Sequence, residues 1–189
     1  MTTCQEERID AEAEAEALAR VRAGDPAAYA LLVRAHAPIA TRLATFWGAG
    51  AHADDVVQEA FVKAYFALDR FREGAPFRPW LLRIVAREAS NDRRGEARRR
   101  EREQAVVALG EPTAYQPSPA EVALLSEQQR RLYAALHRLT PAARSVVTCR
   151  YLLDLTEAET AEVLDIAPGT VKSRLHRALV ALREELTDV

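Results

Sequence analysis

Few side chains in this sequence are spaced for covalent chemistry. Cys149 is one of only two cysteines, and its companion Cys4 lies far away without metal-ligand spacing. It falls in the apolar run VVTCRYLL, where a buried structural thiol is expected rather than a nucleophile. His36 and His52 have no Cys or His partner at ligand spacing, so no metal site is expected. Asp54 and Asp55 are adjacent carboxylates. Neighbours on a helix diverge by about a hundred degrees, so the pair is not an acid–base dyad. There is no Gly-rich phosphate loop and no nucleophile–base motif. A non-enzyme without a cofactor is therefore expected. What remains is the chemistry of arginine toward a polyanion.

The arginines are segregated. The net charge is −2, but residues 1–17 carry −5, residues 18–102 carry +6, residues 103–129 carry −4 and residues 130–189 carry +1. Within the basic block, Arg83, Arg87, Arg94 and Arg98 fall inside a ~60° arc of a helix. Such a stripe is the electrostatic footprint of a phosphate backbone. A second set lies in residues 154–183. Thr156 and Glu159 form a capping box at a helix start. Asp165-Ile166-Ala167 breaks that helix, and Pro168 suits the first turn of the next. In this second helix Val171, Leu175, Ala178, Leu179 and Leu182 make an apolar stripe. Thr170, Ser173, His176 and Arg177 face the other way, flanked by Lys172 and Arg174. This is a helix-turn-helix whose second helix has the donors to enter a major groove. The alternative is a pair of amphipathic helices in an ordinary bundle.

The elements that must position these residues are helical throughout. Residues 1–17 read as an acidic flexible tail. Residues 18–48 read as helix, with Asp25 as N-cap, Pro26 following it, Pro38 kinking or dividing the segment, and Gly48 and Gly50 ending it. The helix from Asp54 presents Val57, Phe61, Ala64, Tyr65 and Leu68 to a core and Asp54, Asp55, Gln58 and Glu59 outward. Residues 71–79 form a loop broken by Gly74 and Pro76. Residues 79–100 are helix again, anchored by Trp80, Leu81, Ile84 and Val85. Residues 103–127 hold three prolines and no basic residue, the composition of a linker. Leu132, Ala135, Leu136 and Leu139 then form one stripe, Thr140 and Pro141 start the next helix, and Val146, Val147, Tyr151 and Leu152 continue it. The expected fold is all-α, two small helical domains joined by a flexible linker. Their bounds are 18–102 and 128–189, after a 1–17 tail and around a 103–127 linker. No run of 18 or more uncharged apolar residues is present, so no membrane insertion is expected. The N-terminus lacks the apolar core of a secretory signal, and the sparse cysteines suit a reducing cytoplasm.

The ordered set DPAAYALLVRAHAP, DDVVQEAFVKAY, FREGAPFRPWLLRI, an arginine-rich helix, LTPAARSVVTCRYLLDLT and IAPGTVKSRLHRAL resembles the bacterial extracytoplasmic-function sigma factors over about residues 18–185. The resemblance implies a cytoplasmic, non-enzymatic initiation subunit with core RNA polymerase and promoter DNA as partners, and an anti-sigma factor as a third. It implies that Asp54, Asp55, Gln58 and Glu59 face polymerase. It implies that Arg72, Glu73, Gly74, Arg83, Arg87, Asn91, Arg94 and Arg98 serve the −10 element, where a base is captured out of the stack. Phe77 and Trp80 are candidate stacking platforms, Trp80 reading better as a core anchor. Thr170, Lys172, Ser173, Arg174, His176 and Arg177 would serve the −35 element, and the linker would follow the RNA-exit path. Two departures stand out. Arg87 replaces an Asn common in the family, and Asp165 replaces the usual Gly of the turn, while Ala167 is a poor N-cap. The rival class is a free-standing helix-turn-helix regulator, which would need no polymerase-facing surface.

Overall fold

The computed structural model describes residues 9–104 and 126–187, without the side chains of residue 93 and residues 96–104. All regular structure among the described residues is helical. The first helix, α1, spans Ala11–Arg22. Asp10 caps it by accepting from the Ala13 amide at 2.7 Å. Glu12 and Glu14 in its first turn and Arg20 and Arg22 in its last complement the helix dipole. The expected acidic tail is therefore too long: Ala17 and Leu18 are buried, and the helix begins at residue 11 because its apolar face has a core to enter. Residues 1–8 lie outside the described residues.

Gly24, at φ 92°, reverses the chain, and Asp25 caps a 3₁₀ turn over Pro26–Ala28 by accepting from the Ala27 amide at 3.0 Å. Arg20 pairs with Asp25 at 2.7 Å and holds its carboxyl below the usual range. Helix α2 spans Tyr29–Ala44 with Pro38 inside it, so of the two expected outcomes, a kink or a division, the division does not occur. Leu32, Ile39, Ala40 and Leu43 are buried along the same helix. That burial outweighs the ~3 kcal/mol an interior proline costs. A π-helical turn over Thr45–Ala49 follows, with Gly48 and Gly50 at positive φ. Helix α3 is Ala53–Ala67 and helix α4 is Phe77–Gln104.

The start of α4 is the most heavily tied point of this unit. Phe77 is fully buried, with its ring 5.9 Å from Phe71, 5.6 Å from Trp80 and 5.4 Å from His36. It is therefore not available as a stacking platform for a base. The Phe77 amide, an orphan donor of the helix N-terminus, reaches Glu14 Oε1 at 3.3 Å, and Glu14 Oε2 meets His36 Nε2 at 2.8 Å. One carboxylate of the supposed tail thus joins α1, α2 and α4.

The C-terminal unit begins with α5, Glu127–Arg138, closed by a reciprocal capping box between Ser126 and Gln129. Glu103 and Gln104, assigned to the linker, complete α4 instead, and residues 105–125 lie outside the described residues. Helix α6 is Pro141–Val147, capped by Thr140. Arg144 on α6 donates to the carbonyls of Leu136 at 3.0 Å, His137 at 2.6 Å and Leu139 at 3.1 Å, satisfying the orphan acceptors at the end of α5. After a π turn over Thr148–Leu152 come α7, Glu157–Leu164, and α8, Pro168–Thr187. Five expected apolar contacts lie partly outside: Tyr65 of α3 is 38% exposed, Leu132 44%, Tyr151 61%, Leu152 40% and Leu179 39%. Each sits at the margin of its stripe, where helical spacing alone does not decide burial.

The two units are not separate. Cys149, Leu153, Leu155 and Val163 of the second are buried in one apolar cluster with Leu81, Val85 and Ala89 of α4. Arg78 fastens this seam by donating to the Leu153 carbonyl at 3.0 Å. The ties at the start of α4 predict where stability resides. Replacing Phe77 by Ala should cost about 3–5 kcal/mol, as deletion of a buried ring does. Replacing Glu14 by Ala should cost about 1–3 kcal/mol, by leaving a buried amide and a buried imidazole unpartnered. Urea unfolding of each variant measures both, and a Glu14 variant as stable as the parent would remove α1 from this account.

Candidate nucleic-acid interface

The recognition element is built by two caps and a turn. Thr156 accepts from the Glu159 amide at 3.2 Å, and Glu159 returns an acceptor to the Thr156 amide at 2.8 Å. At the other end of α7 the Ile166 amide reaches back to the Ala161 carbonyl at 3.0 Å across Asp165, which is left-handed at φ 56°, ψ 46°. A non-glycine residue there carries strain on the order of 1 kcal/mol. Helix α8 then buries Val171, Ala178 and Leu182. Lys172, Ser173, His176 and Arg177 are exposed on it, with Thr170 and Arg174 half-buried. Arg177 Nε donates to the Ser173 carbonyl at 3.3 Å, which lays its guanidinium along the helix. The six residues expected to serve the −35 element therefore occupy the outer side and flank of one helix.

The second cationic surface is the outer face of α4. Arg87, Asn91 and Arg94 are exposed and Arg83 is half-buried, while the Arg98 side chain lies outside those described. Arg72, Glu73 and Gly74 are exposed on the loop before α4, with Gly74 at φ 74°. Arg83, Arg87, Asn91 and Arg94 line a cavity of about 340 Å³ together with Trp47 and Ser90. Its opposite wall is Val163, Leu164 and Asp165 of the C-terminal unit. Asp165 Oδ1 lies 2.7 Å from Arg83 Nη2, and its Oδ2 lies 3.6 Å from Arg87 Nη2. Glu162, one turn earlier on α7, has its carboxyl pushed upward by burial against the opposing pull of Arg83. Trp47 is absent from the sequence-based set. Only its place beside two glycines marked it, and only the π turn brings its indole to α4.

A third surface lies on α3. Asp54, Asp55, Gln58 and Glu59 are all exposed. Glu59 is not a free acid: Lys63 lies 3.3 Å from it and 2.6 Å from Glu88 of α4, and Glu88 raises the lysine's pKa. Asp54 and Gln58 border a groove of about 540 Å³ lined by Tyr29, Val57, Phe61, Val62 and Phe66. Phe66 is 78% exposed and Val62 45%. Burial pushes the Tyr29 hydroxyl upward, and it donates to the Phe61 carbonyl at 2.6 Å, fixing the groove floor. Sequence periodicity counted neither Val62 nor Phe66, since both stand off the apolar stripe of α3. The two histidines are placed apart: His36 is buried against Glu14, and His52 Nδ1 lies 3.7 Å from Asp92.

Comparison with known proteins identifies the family. Residues 32–99 match the family described as Sigma-70 region 2, and residues 123–182 match Sigma-70, region 4. The chain is 32% identical over 165 residues to the ECF RNA polymerase sigma-E factor of Haemophilus influenzae, covering 84% of this chain and 87% of that one. It is 34% identical over 169 residues to the protein of that name in Escherichia coli K12, covering 86% and 88%. Among solved structures it is similar to CnrH, determined in complex with the cytosolic domain of CnrY, with a TM-score of 0.68 and 26% identity over 94% of this chain and 99% of that one. It shares its fold with the sigma factor RpoE of Bartonella quintana, solved with the anti-sigma factor NepR, at a TM-score of 0.61 and 24% identity over 85% and 97%.

Cys149 is fully buried within the seam, and burial pushes its thiol from about 9 up to about 12. A thiol whose pKa is raised by folding stabilises the fold below about 9, and loses that contribution as pH rises toward 12. Cys149 in the native chain should therefore resist alkylation at pH 8 and react only on unfolding or opening of the seam. Mass mapping of the alkylated peptides measures this, and rapid native labelling at Cys149 would contradict the burial described here.

Proposed function

The chain belongs to the extracytoplasmic-function sigma factors of RNA polymerase, and from this we propose which of its surfaces carry the parts of that activity. A sigma factor directs core polymerase to specific promoters and starts transcription there, without catalysing a reaction of its own. It works in the cytoplasm, where polymerase and chromosome meet. The observation that carries the assignment of surfaces is the separation of two cationic helix faces, on α4 and α8, from the acidic and apolar groove beside α3.

The α8 face supplies −35 readout. Its exposed Arg177, Lys172 and Ser173 have the donors that bases present acceptors for in a major groove. The α4 face and the Arg72–Gly74 loop serve the −10 element, where Arg87 and Arg94 neutralise phosphates and Asn91 lies between them. Trp47 adds an aromatic face to this set, suited to stacking on an unpaired base. The α3 surface docks on polymerase: Phe66 and Val62 supply apolar area, and Asp54, Asp55 and Gln58 supply the polar rim of an interface. A protein partner of the anti-sigma class also belongs to this reading. Its support is that proteins of this fold were solved with protein partners, CnrH with the cytosolic domain of CnrY and RpoE with the anti-sigma factor NepR.

Two measurements test the division of labour. Charge reversal at Asp55 together with Phe66→Ala should weaken core-polymerase binding by about tenfold or more while leaving helix content intact, since both side chains are exposed. Normal assembly of that variant would end the α3 assignment. In reconstituted holoenzyme, Arg177→Ala should lose about 1–3 kcal/mol of −35 discrimination. Arg87→Ala with Arg94→Ala should instead weaken binding to all promoters and reduce its salt dependence, because fewer counterions are released. If the Arg177 variant kept full −35 dependence and the α4 variant lost it, the two faces would be exchanged.

A further inference from the structure

The two departures from the family pattern, Arg87 and Asp165, touch each other. They lie 78 positions apart in the sequence and on different units, yet Asp165 Oδ2 is 3.6 Å from Arg87 Nη2 while Oδ1 holds Arg83 at 2.7 Å. We propose that the free chain closes on itself through this contact, Asp165 occupying the α4 arginines in place of promoter phosphates and acting as a latch against −10 DNA. The proposal rests on the reading of α4 as the −10 face.

The contact is one end of a charged edge. Arg78, Arg83 and Arg87 run along α4; Glu159, Glu162 and Asp165 run along α7 and its turn. Arg78 Nη1 lies 3.8 Å from Glu159 Oε1, completing the row begun by the Asp165 pairs. Beneath the charges, Leu153, Leu155 and Val163 seal the apolar seam. The closed arrangement and the promoter-bound one exclude each other. Promoter elements two helical turns apart hold their readers roughly 70 Å from one another, whereas here the turn of the helix-turn-helix lies on α4.

Two features mark Asp165 as more than filler. Its backbone is left-handed, a position where glycine is unstrained, so the carboxylate is kept at a conformational cost. Its partner Arg83 keeps one donor unmet: Nε is buried with no hydrogen-bond partner among the described residues. A backbone phosphodiester, whose two non-bridging oxygens share one negative charge, can take both sides of that fork once the two halves part. The latch is therefore built to be displaced. Its ion pairs are half exposed, with side-chain exposures of 33% for Arg83 and 63% for Arg87 and Asp165. Pairs of that kind shift an equilibrium several-fold and weaken with salt.

The test uses the full-length free protein. Asp165→Asn removes the charge while keeping a residue that tolerates the left-handed turn. Asp165→Gly removes the charge and the strain together. Both should show a larger radius of gyration by small-angle scattering than the parent. Both should bind a forked −10 DNA about three- to tenfold more tightly, the range two partly exposed ion pairs command. Glu184→Gln, an exposed acid near the end of α8, controls for loss of a negative charge in general. Unchanged dimensions in Asp165→Asn, or a gain in DNA affinity no greater than that of Glu184→Gln, overturns the latch. An effect confined to Asp165→Gly overturns it too, since relief of turn strain would then be the cause. The scattering arm contains no DNA, so it reports the latch independently. The holoenzyme carrying Arg87→Ala and Arg94→Ala reports the −10 reading independently.

Discussion

Everything in this fold turns on the two faces of α4. One face must be apolar enough to close a core, and Phe77, Leu81, Leu82 and Val85 along it are fully buried. The other must stay cationic, with Arg83, Arg87 and Arg94 a helical period apart. A helix satisfies both demands because its 3.6-residue period sorts the two sets without compromise. Its start is then fixed from a distance by Glu14, so the register of the arginines relative to α1 and α2 is set by a half-buried carboxylate. The same helix receives the seam from Leu153, Leu155 and Val163. Core completion and the cationic face are consequently carried by one element.

Much of this was legible in the sequence because local chemistry decides it. Thr156 with Glu159, and Thr140 with Pro141, announce helix starts whose hydrogen bonds form within four residues. The order of the motifs sufficed for the family, and the α8 donors could be assigned to an outer face from spacing alone. What was not legible depends on which stripe finds a partner. Leu132 and Leu179 obey helical spacing but lie at the edge of the contact. Phe77 and the acids before residue 17 were misplaced because their partners, Glu14 for one and the α2–α4 core for the other, come from remote segments. Pro38 breaks a helix only where nothing else holds it. Trp47, Phe66 and the interdomain seam leave no periodic signal, since each acquires its setting from an element far along the chain.

Net charge was a poor guide for a related reason. A chain near neutrality can still hold a strongly basic helix face if the compensating acids are elsewhere in the sequence, and here part of that compensation is also elsewhere in space. The acids of α7 stand against the arginines of α4, whereas those of α3 face solvent and Lys63. Electrostatics within the molecule and toward its partners therefore draw on the same few groups.

The left-handed backbone at residue 165 restricts that position to a short alphabet. Glycine, asparagine and aspartate are the residues such a conformation accepts readily. All three preserve the turn, yet only one bears a charge, and that charge lands on the other half of the molecule. A lineage can therefore reset how firmly the two halves cling together by exchanging one residue, without redesigning either the motif that reads duplex DNA or the helix it rests on. The corner of a DNA-binding motif becomes a heritable tuning point for the availability of a different surface.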